Sequence, residues 1–226
     1  MKSLFRRGFA ALAAVAALGA TAVTHAAPTN FSFTGGFSLA NDVQTFTFTA
    51  NGSSAVRLIT YSYAGGTQAN GNAVAAGGFD PILALFNASG LLVGQNDDAV
   101  SNTTGSCGGS SVNPDPVGGQ RWDTCLDLTL SAGVYTVAIM QYDNFAQGPN
   151  LSNGFRYDGN PNFLQGKCAN GVFCDANGRE RDAHWAFDIL NVEGAQQNDV
   201  PEPGSLALAA IALAGLGGAR RLRRKD

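Results

Sequence analysis

The chain has 226 residues with 14 Lys and Arg, 17 Asp and Glu, and a net charge of −3. The first 26 residues contain 3 basic residues, and the last 28 contain 5 basic and 3 acidic residues. The region between them, 27–198, therefore has 6 basic and 14 acidic residues and a net charge of −8. Such a surface lacks the cations that neutralise phosphates, which excludes nucleic acid as a partner. Roughly 170 residues suffice for one domain with its own core.

The N-terminus has the layout of a secretory signal. Lys2, Arg6 and Arg7 form a positive start, residues 9–20 are apolar, and Ala26 follows two residues after Thr24. Small residues at such spacing are read by signal peptidase, so we predict a signal helix at 1–26 that is cleaved after Ala26. The alternative is a retained membrane anchor.

The region 27–198 alternates apolar and polar residues and lacks sustained helical periodicity. About eight or nine short strands without helices predict an all-β fold, an antiparallel β-sandwich of jelly-roll type. Two long insertions, 95–123 and 143–182, interrupt the strand pattern. The strands are predicted at 31–39, 43–49, 55–63, 79–86, 91–93, 124–130, 134–142 and 183–192.

Four cysteines lie in this domain, an even number in an exported chain, which favours disulfides. Three connectivities are open. We favour Cys107 with Cys125 and Cys168 with Cys174, because each pair brackets a loop rich in Gly, Pro and Asn. A zinc site is the alternative, although there is no Cys-x-x-Cys pair and only His184 could assist.

The last 28 residues, 199–226, combine three parts in a fixed order. Pro201, Glu202 and Pro203 cannot continue a helix or a sheet ladder, so they form an extended handle. The apolar run 206–219 is short against the ~20 residues of a spanning helix. Counted from Val200, it can cross a bilayer as a transmembrane helix with some thinning or tilt. The basic end, 220–225, would stay cytoplasmic.

This tail resembles the PEP-CTERM sorting signal of Gram-negative bacteria. The resemblance implies a transient tether in the inner membrane and cutting near Pro201–Pro203 by exosortase, a membrane transpeptidase-like enzyme. The mature protein would then reach the cell surface or the extracellular matrix. The alternative is a plain tail-anchoring helix or a loosely packed amphipathic end.

The body contains five motifs in order: DVQTFTF at 42–48, GGFDPILALF at 77–86, NDD at 96–98, LSAGVY at 130–135 and QYDN at 141–144. In these motifs it is similar to the FDP-type domain of PEP-CTERM proteins and, more distantly, to the bacterial pre-peptidase C-terminal domain. The resemblance implies a β-sandwich without a catalytic site that accompanies or binds other molecules.

Asn96, Asp97 and Asp98 form the best metal-ligand motif, because adjacent oxygen ligands on one turn suit calcium. The resemblance places Asp42 and Asp80 near this turn and implies that Ca²⁺ is the candidate cofactor. The alternative is that all five are turn-forming residues that satisfy backbone amides.

Catalysis is not expected. His184 is the one histidine that remains after signal removal, and no Gly-x-Ser-x-Gly elbow is present. The rival function is carbohydrate binding, with Trp122 and Tyr142 as candidate aromatic platforms. The sequence therefore predicts an exported, non-enzymatic structural or adhesive protein of biofilm or floc, with exopolysaccharide as a candidate partner. A carbohydrate- or calcium-dependent binding module is the alternative.

Overall fold

The computed structural model describes residues 26–53, 55–100, 105–168 and 173–199. Within these ranges the chain forms eleven strands and two short 3-10 turns, Gly109–Ser111 and Leu151–Asn153. The strands are β1 Thr29–Gly36, β2 Val43–Ala50, β3 Ala55–Thr60, β4 Gly66–Thr67, β5 Ala73–Val74, β6 Pro81–Asn87, β7 Leu92–Asn96, β8 Cys125–Thr129, β9 Gly133–Gln141, β10 His184–Val192 and β11 Gly194–Gln197.

Two antiparallel sheets pack against each other, which confirms the predicted all-β, sandwich-like fold. The first sheet has the order β1-β10-β3-β8 and the second β11-β2-β9-β6-β7, while β4 and β5 form a separate hairpin. Each of the eight predicted strands has a counterpart in the structure. The sequence did not predict β4, β5 or β11, because the first two are only two residues long and β11 reads GAQQ.

The main core lies between the two sheets and is rich in aromatic side chains. On β2 the alternation sends Phe46 and Phe48 inward while the threonines between them stay partly exposed. The Phe46 ring centroid lies 5.6 Å from that of Trp185 and 5.1 Å from that of Phe187, both on β10. These contacts across the sandwich fix the relative position of the sheets.

Each of the two long insertions covers part of the outer face of one sheet. On the second sheet, Ile82, Phe86 and Met140 are buried beneath loop residues that include Phe145 and Phe155. On the first sheet, Ile59 and Cys125 pack with Ala99 and Val112 of the other insertion. This double burial explains why β6, PILALF, is apolar at every position and does not alternate.

A buried ion network ties both insertions to the sandwich. The Arg181 guanidinium donates to both Asp115 oxygens, at 3.2 and 3.1 Å, and to Asp175 at 3.3 Å. It also lies 3.7 Å from the centre of the Tyr63 ring, whose hydroxyl donates to Asp175 at 2.9 Å. Although burial raises the pKa of Asp115, hydrogen bonds from Arg181 and the Gly118 amide hold it below its usual value.

Two disulfides join Cys107 to Cys125 and Cys168 to Cys174, each with a Cα–Cα distance of 5.5 Å. This is the pairing that the sequence favoured, and no cysteine of the described residues is free. One bond attaches the first insertion to β8, and the other closes a short loop in the second insertion.

The predicted signal helix, through residue 25, and the predicted transmembrane helix, 200–226, lie outside the described residues. Among the residues that are described, no helix is long and apolar enough to cross a membrane.

Replacing Arg181 by methionine tests how much the buried ion network contributes to the stability of the domain. The substitution leaves the Asp115 and Asp175 carboxylates buried without their cation, so we expect the free energy of unfolding in urea to fall by about 3–5 kcal/mol. The matched control is Arg179→Met, since that side chain is 42% exposed and 3.8 Å from Asp115. The control should lose less than about 1 kcal/mol. Equal losses in the two variants would contradict a dominant role for Arg181.

Candidate metal centre

Three carboxylates meet at one end of the second sheet. One oxygen from each of Asp80, Asp97 and Asp98 lies within 4.8 Å of the other two. Asp80 is only 2% exposed, and the other two side chains are half-buried. Within the described ranges, this is the one group of three or more His, Cys, Asp or Glu side chains at such distances.

Strand register brings these residues together. Leu83 of β6 pairs with Asn96 of β7, so the chain leaving β7 passes the start of β6. Asp80 directly precedes Pro81, which pairs with Gln141 at the end of β9. Proline lacks an amide donor and is therefore suited to the first position of a strand. The ends of three neighbouring strands thus place Asp80 beside the turn that carries Asp97 and Asp98.

Hydrogen bonds hold the site in place on both sides. The Asn96 side-chain amide donates to the carbonyl oxygen of Asp98 at 3.0 Å and to that of Cys125 at 2.9 Å. Because Cys125 begins β8, the second of these bonds reaches the other sheet. The Tyr142 amide donates to the Asp80 carbonyl at 2.7 Å. The acidic turn is therefore fixed at the junction of the two sheets.

The environment disfavours negative charge on all three carboxylates. Burial, followed by repulsion from Asp97 and Asp98, raises the pKa of Asp80 well above its ordinary value. Burial and the neighbouring Asp98 raise the pKa of Asp97 to about 7, and burial raises that of Asp98 to about 6. A bound cation would reverse this balance, because opposite charge favours the ionised form.

Each carboxyl group also has an unsatisfied oxygen. The Oδ1 atoms of Asp80, Asp97 and Asp98 are buried and accept no hydrogen bond from the described residues. Buried polar oxygens are normally paired, so three orphaned atoms in one cluster indicate a missing partner. A metal ion satisfies all three at once.

The donor set fits calcium best. All ligands are oxygens, and three carboxylates binding through one or both oxygens supply half or more of the six to eight that Ca²⁺ takes. Magnesium usually keeps several waters, which the buried position of Asp80 disfavours. Zinc prefers nitrogen and sulfur ligands, and both cysteine pairs are oxidised.

Two other predicted ligands have different surroundings. Asp42 accepts from the amides of Ser38 and Leu39, at 2.7 and 2.8 Å, and so closes a turn between β1 and β2. Asp42 is not a member of the 4.8 Å cluster. The nitrogen of the Asn96 side chain fixes the acidic turn, as described above. A coordinating role for either residue stays a prediction.

The two aromatic candidates pack against different partners. Trp122 is half-buried, with its ring 5.2 Å from that of Tyr63 beside the Arg181 network. Tyr142 is half-buried, 6.3 Å from Phe145, and lines a cleft with Leu164 and Lys167. The structure therefore places Tyr142 at a concave surface, one backbone hydrogen bond away from Asp80, and a ligand-binding role for either residue stays a prediction.

Two features near the site were not predicted from the sequence. Gln141 is fully buried, and its Oε1 accepts no hydrogen bond from the described residues, while its nitrogen donates to the Cys174 carbonyl at 3.2 Å. Lys167 joins the cleft only because the second insertion folds back over the end of β9. The sequence carries no periodic pattern in that insertion that would indicate either contact.

Comparison with known families assigns the end of the chain. Residues 199–224 match the family model described as the PEP-CTERM protein-sorting motif. The chain carries a PEP-CTERM sorting motif. No curated protein matches the chain significantly.

The PEP-CTERM motif makes this an exported protein that is sorted to the cell surface by an exosortase. The two disulfides agree with a location outside the cytoplasm. The match covers the tail alone and leaves the family of the β-sandwich open. Asn198, the residue before the match begins, is bonded to β2 through its backbone and its side chain.

The raised pKa values predict an unusual pH dependence for the metal-free protein. An acid whose pKa is higher in the folded than in the unfolded state stabilises the fold at low pH and loses that contribution as pH rises through the folded value. After chelation, the stability that Asp97 and Asp98 contribute should fall between about pH 4 and pH 7. A change of about 1 kcal/mol in the free energy of unfolding moves the melting temperature of such a domain by 2–4 °C. We therefore expect the melting temperature of the metal-free wild type to fall by at least about 5 °C more than that of a control without these two carboxylates as the pH rises from about 4 to about 7.

The measurement compares thermal melts of the wild type and of an Asp97→Asn, Asp98→Asn double variant across that pH range. The variant corrects for the other titrating groups, including Asp115, whose lowered pKa acts in the opposite direction. If the melting temperatures of the wild type and the double variant changed in parallel with pH, the raised pKa values of Asp97 and Asp98 would be contradicted.

Proposed function

We propose that this exported protein is a non-enzymatic structural or adhesive component of the cell surface or extracellular matrix, and that its sandwich binds calcium. The observation that carries the proposal is the cluster of Asp80, Asp97 and Asp98, with three buried oxygens that accept no hydrogen bond from the described residues. Asp80, Asp97 and Asp98 would hold the ion. Calcium supplies positive charge and oxygen coordination there, and no reaction is required of it.

Burial favours a structural role for the ion. The Oδ1 atoms of the three carboxyl groups are inaccessible to solvent, so a bound ion would be enclosed by protein. It would join the start of β6 to the turn after β7, which itself bonds to β8 through Asn96. Calcium outside the cell would then rigidify the corner where the two sheets meet.

The architecture supports a durable scaffold. We infer a jelly roll, because the eight longest strands are ordered β1-β10-β3-β8 and β2-β9-β6-β7, and the chain changes sheet at every step between them except from β6 to β7. Part of each outer face is covered, and each covering insertion carries a disulfide or shares one with a strand. A non-enzymatic role is consistent with His184, whose two ring nitrogens face Asp182 and the Ala75 carbonyl. Both nitrogens of the His184 ring are therefore engaged, and neither is free to act as the general base that a serine or cysteine nucleophile would need.

Carbohydrate binding is the second candidate function. The favouring observation is the cleft of about 460 Å³ beside Tyr142, a size within the usual range of ligand pockets. Exopolysaccharide at the surface of the cell would be the natural partner for such a module.

Calcium should stabilise the secreted form. At about 100 times its dissociation constant, a ligand that binds only the folded state adds about 2.7 kcal/mol. For a domain of this size, that raises the melting temperature by roughly 5–10 °C. Asp80→Asn should abolish most of this rise, because it removes the most buried ligand.

Two controls sharpen the calcium experiment. Asp42→Asn should keep the calcium response, since Asp42 serves a turn elsewhere. Magnesium at the same concentration should give a smaller rise. An unchanged melting temperature of the wild type at millimolar Ca²⁺ would refute the calcium site.

The secreted form should end near residues 200–203. Asn198 is held by β2, with its amide 3.0 Å from the Thr45 carbonyl and its side-chain oxygen 3.0 Å from the Thr47 hydroxyl. Cutting at residues 200–203 leaves all of these contacts of Asn198 in the released protein. Intact-mass spectrometry of the protein released by its host checks the prediction, and a mass that extends to Asp226 would contradict it.

A further inference from the structure

The cleft beside the acidic cluster has a mixed wall. The cleft is lined by Tyr142, the buried Leu164, Lys167 and the turn 175–178. The Cys168–Cys174 disulfide joins the two segments of the second insertion that contribute Lys167 and this turn. The cleft thus lies between the end of β9 and a cross-linked part of the second insertion.

We propose that this cleft binds an acidic sugar unit of a polysaccharide, with the sugar ring against Tyr142 and its carboxylate paired with Lys167. This rests on the proposed calcium site, because the bound ion would make the cleft accessible to a negatively charged ligand.

Lys167 is the group that would recognise the carboxylate. Its side chain is 57% exposed, and its nitrogen lies 3.9 Å from Asp143, at the outer limit of an ion pair. Asp143 is already engaged with the Arg156 guanidinium and with the Tyr157 hydroxyl, which donates at 2.7 Å. Two cations thus share one carboxylate, so Asp143 alone does not neutralise both Lys167 and Arg156.

The remaining wall suits a sugar ring. Tyr142 offers a half-buried aromatic ring, and Leu164 offers an apolar contact in the same cleft. Asn177 is exposed in the turn, and its side-chain amide forms no hydrogen bond with the described residues. An amide can both donate to and accept from sugar hydroxyls. Aromatic, amide and ammonium groups in one cleft match the ring, the hydroxyls and the carboxylate of a uronic acid.

The acidic cluster links ligand binding to calcium. The Tyr142 amide donates to the Asp80 carbonyl at 2.7 Å, so this wall of the cleft is one hydrogen bond away from the acidic cluster. Without a cation, ionised aspartates would repel an incoming carboxylate. A bound Ca²⁺ cancels that repulsion, so each ligand should strengthen the binding of the other.

Calorimetric titration of the secreted form with a trimer of galacturonic acid tests the proposal. A short oligomer limits the direct gelling of the sugar by calcium. We expect binding in Ca²⁺ that weakens about fivefold or more after chelation, the low end of typical couplings between sites. A neutral glucose trimer should bind about tenfold more weakly, and acetate alone should not bind detectably, because it lacks the ring.

Matched variants locate the site. Lys167→Gln should weaken binding of the acidic trimer about tenfold without affecting the neutral one, while Lys167→Arg should retain it. Tyr142→Ala should weaken binding of both, and Tyr142→Phe should preserve the ring contact. Thermal melts in Ca²⁺ are run on every variant, so that loss of folding is separated from loss of the ligand.

Three outcomes would overturn the inference: no binding of the acidic trimer at millimolar concentration, equal binding of the neutral trimer, or no effect of Lys167→Gln. If calcium still raises the melting temperature in that case, the calcium site stands and the sugar site fails alone. If calcium has no effect on melting, the proposed function fails first.

Discussion

The need to bury the outer faces of the central strands governs this structure. A sandwich with one buried core could leave its outer surfaces polar, but β6 and β9 are apolar on each side. The two long insertions must therefore pack against the sheets, and loops without regular structure need other restraints. The disulfides and the Arg181 network provide these restraints, and they do so at the places where each insertion turns back toward a strand.

Two groups of buried aspartates illustrate opposite solutions to the same electrostatic problem. Asp115 and Asp175 share the guanidinium of Arg181, so their charge is balanced within the chain. Asp80, Asp97 and Asp98 lack such a partner among the described residues. The domain also has few basic side chains that could provide one, with 6 basic residues against 14 acidic ones. A cation from the surroundings is the natural replacement for an internal one. The arrangement links the stability of the domain to the medium outside the cell.

The local patterns of the chain were sufficient to predict most of the fold. Alternation in β2 indicated a strand directly. The disulfide pairing followed from loop composition. The role of Arg181 could not be predicted, since its partners lie 6 and 66 residues away and meet only after the insertions fold. The acidic turn 96–98 was visible as a sequence motif. The absence of Asp42 from the carboxylate cluster and the formation of the cleft beside Lys167 could not be predicted, because both depend on how distant segments pack.

The position of Asn198 has a consequence for the protein after sorting. It fastens β11 to β2 immediately before the PEP-CTERM motif begins, so removal of the tail leaves β2 covered. An uncovered β2 would offer unpaired amides and carbonyls to neighbouring copies, which is how exposed sheet edges start aggregation. Because β11 is itself the edge of the sheet, it replaces the eight-residue edge of β2 by a polar edge of only four residues. Short edge strands limit pairing with other chains, so removal of the sorting tail leaves this edge of the second sheet short and polar.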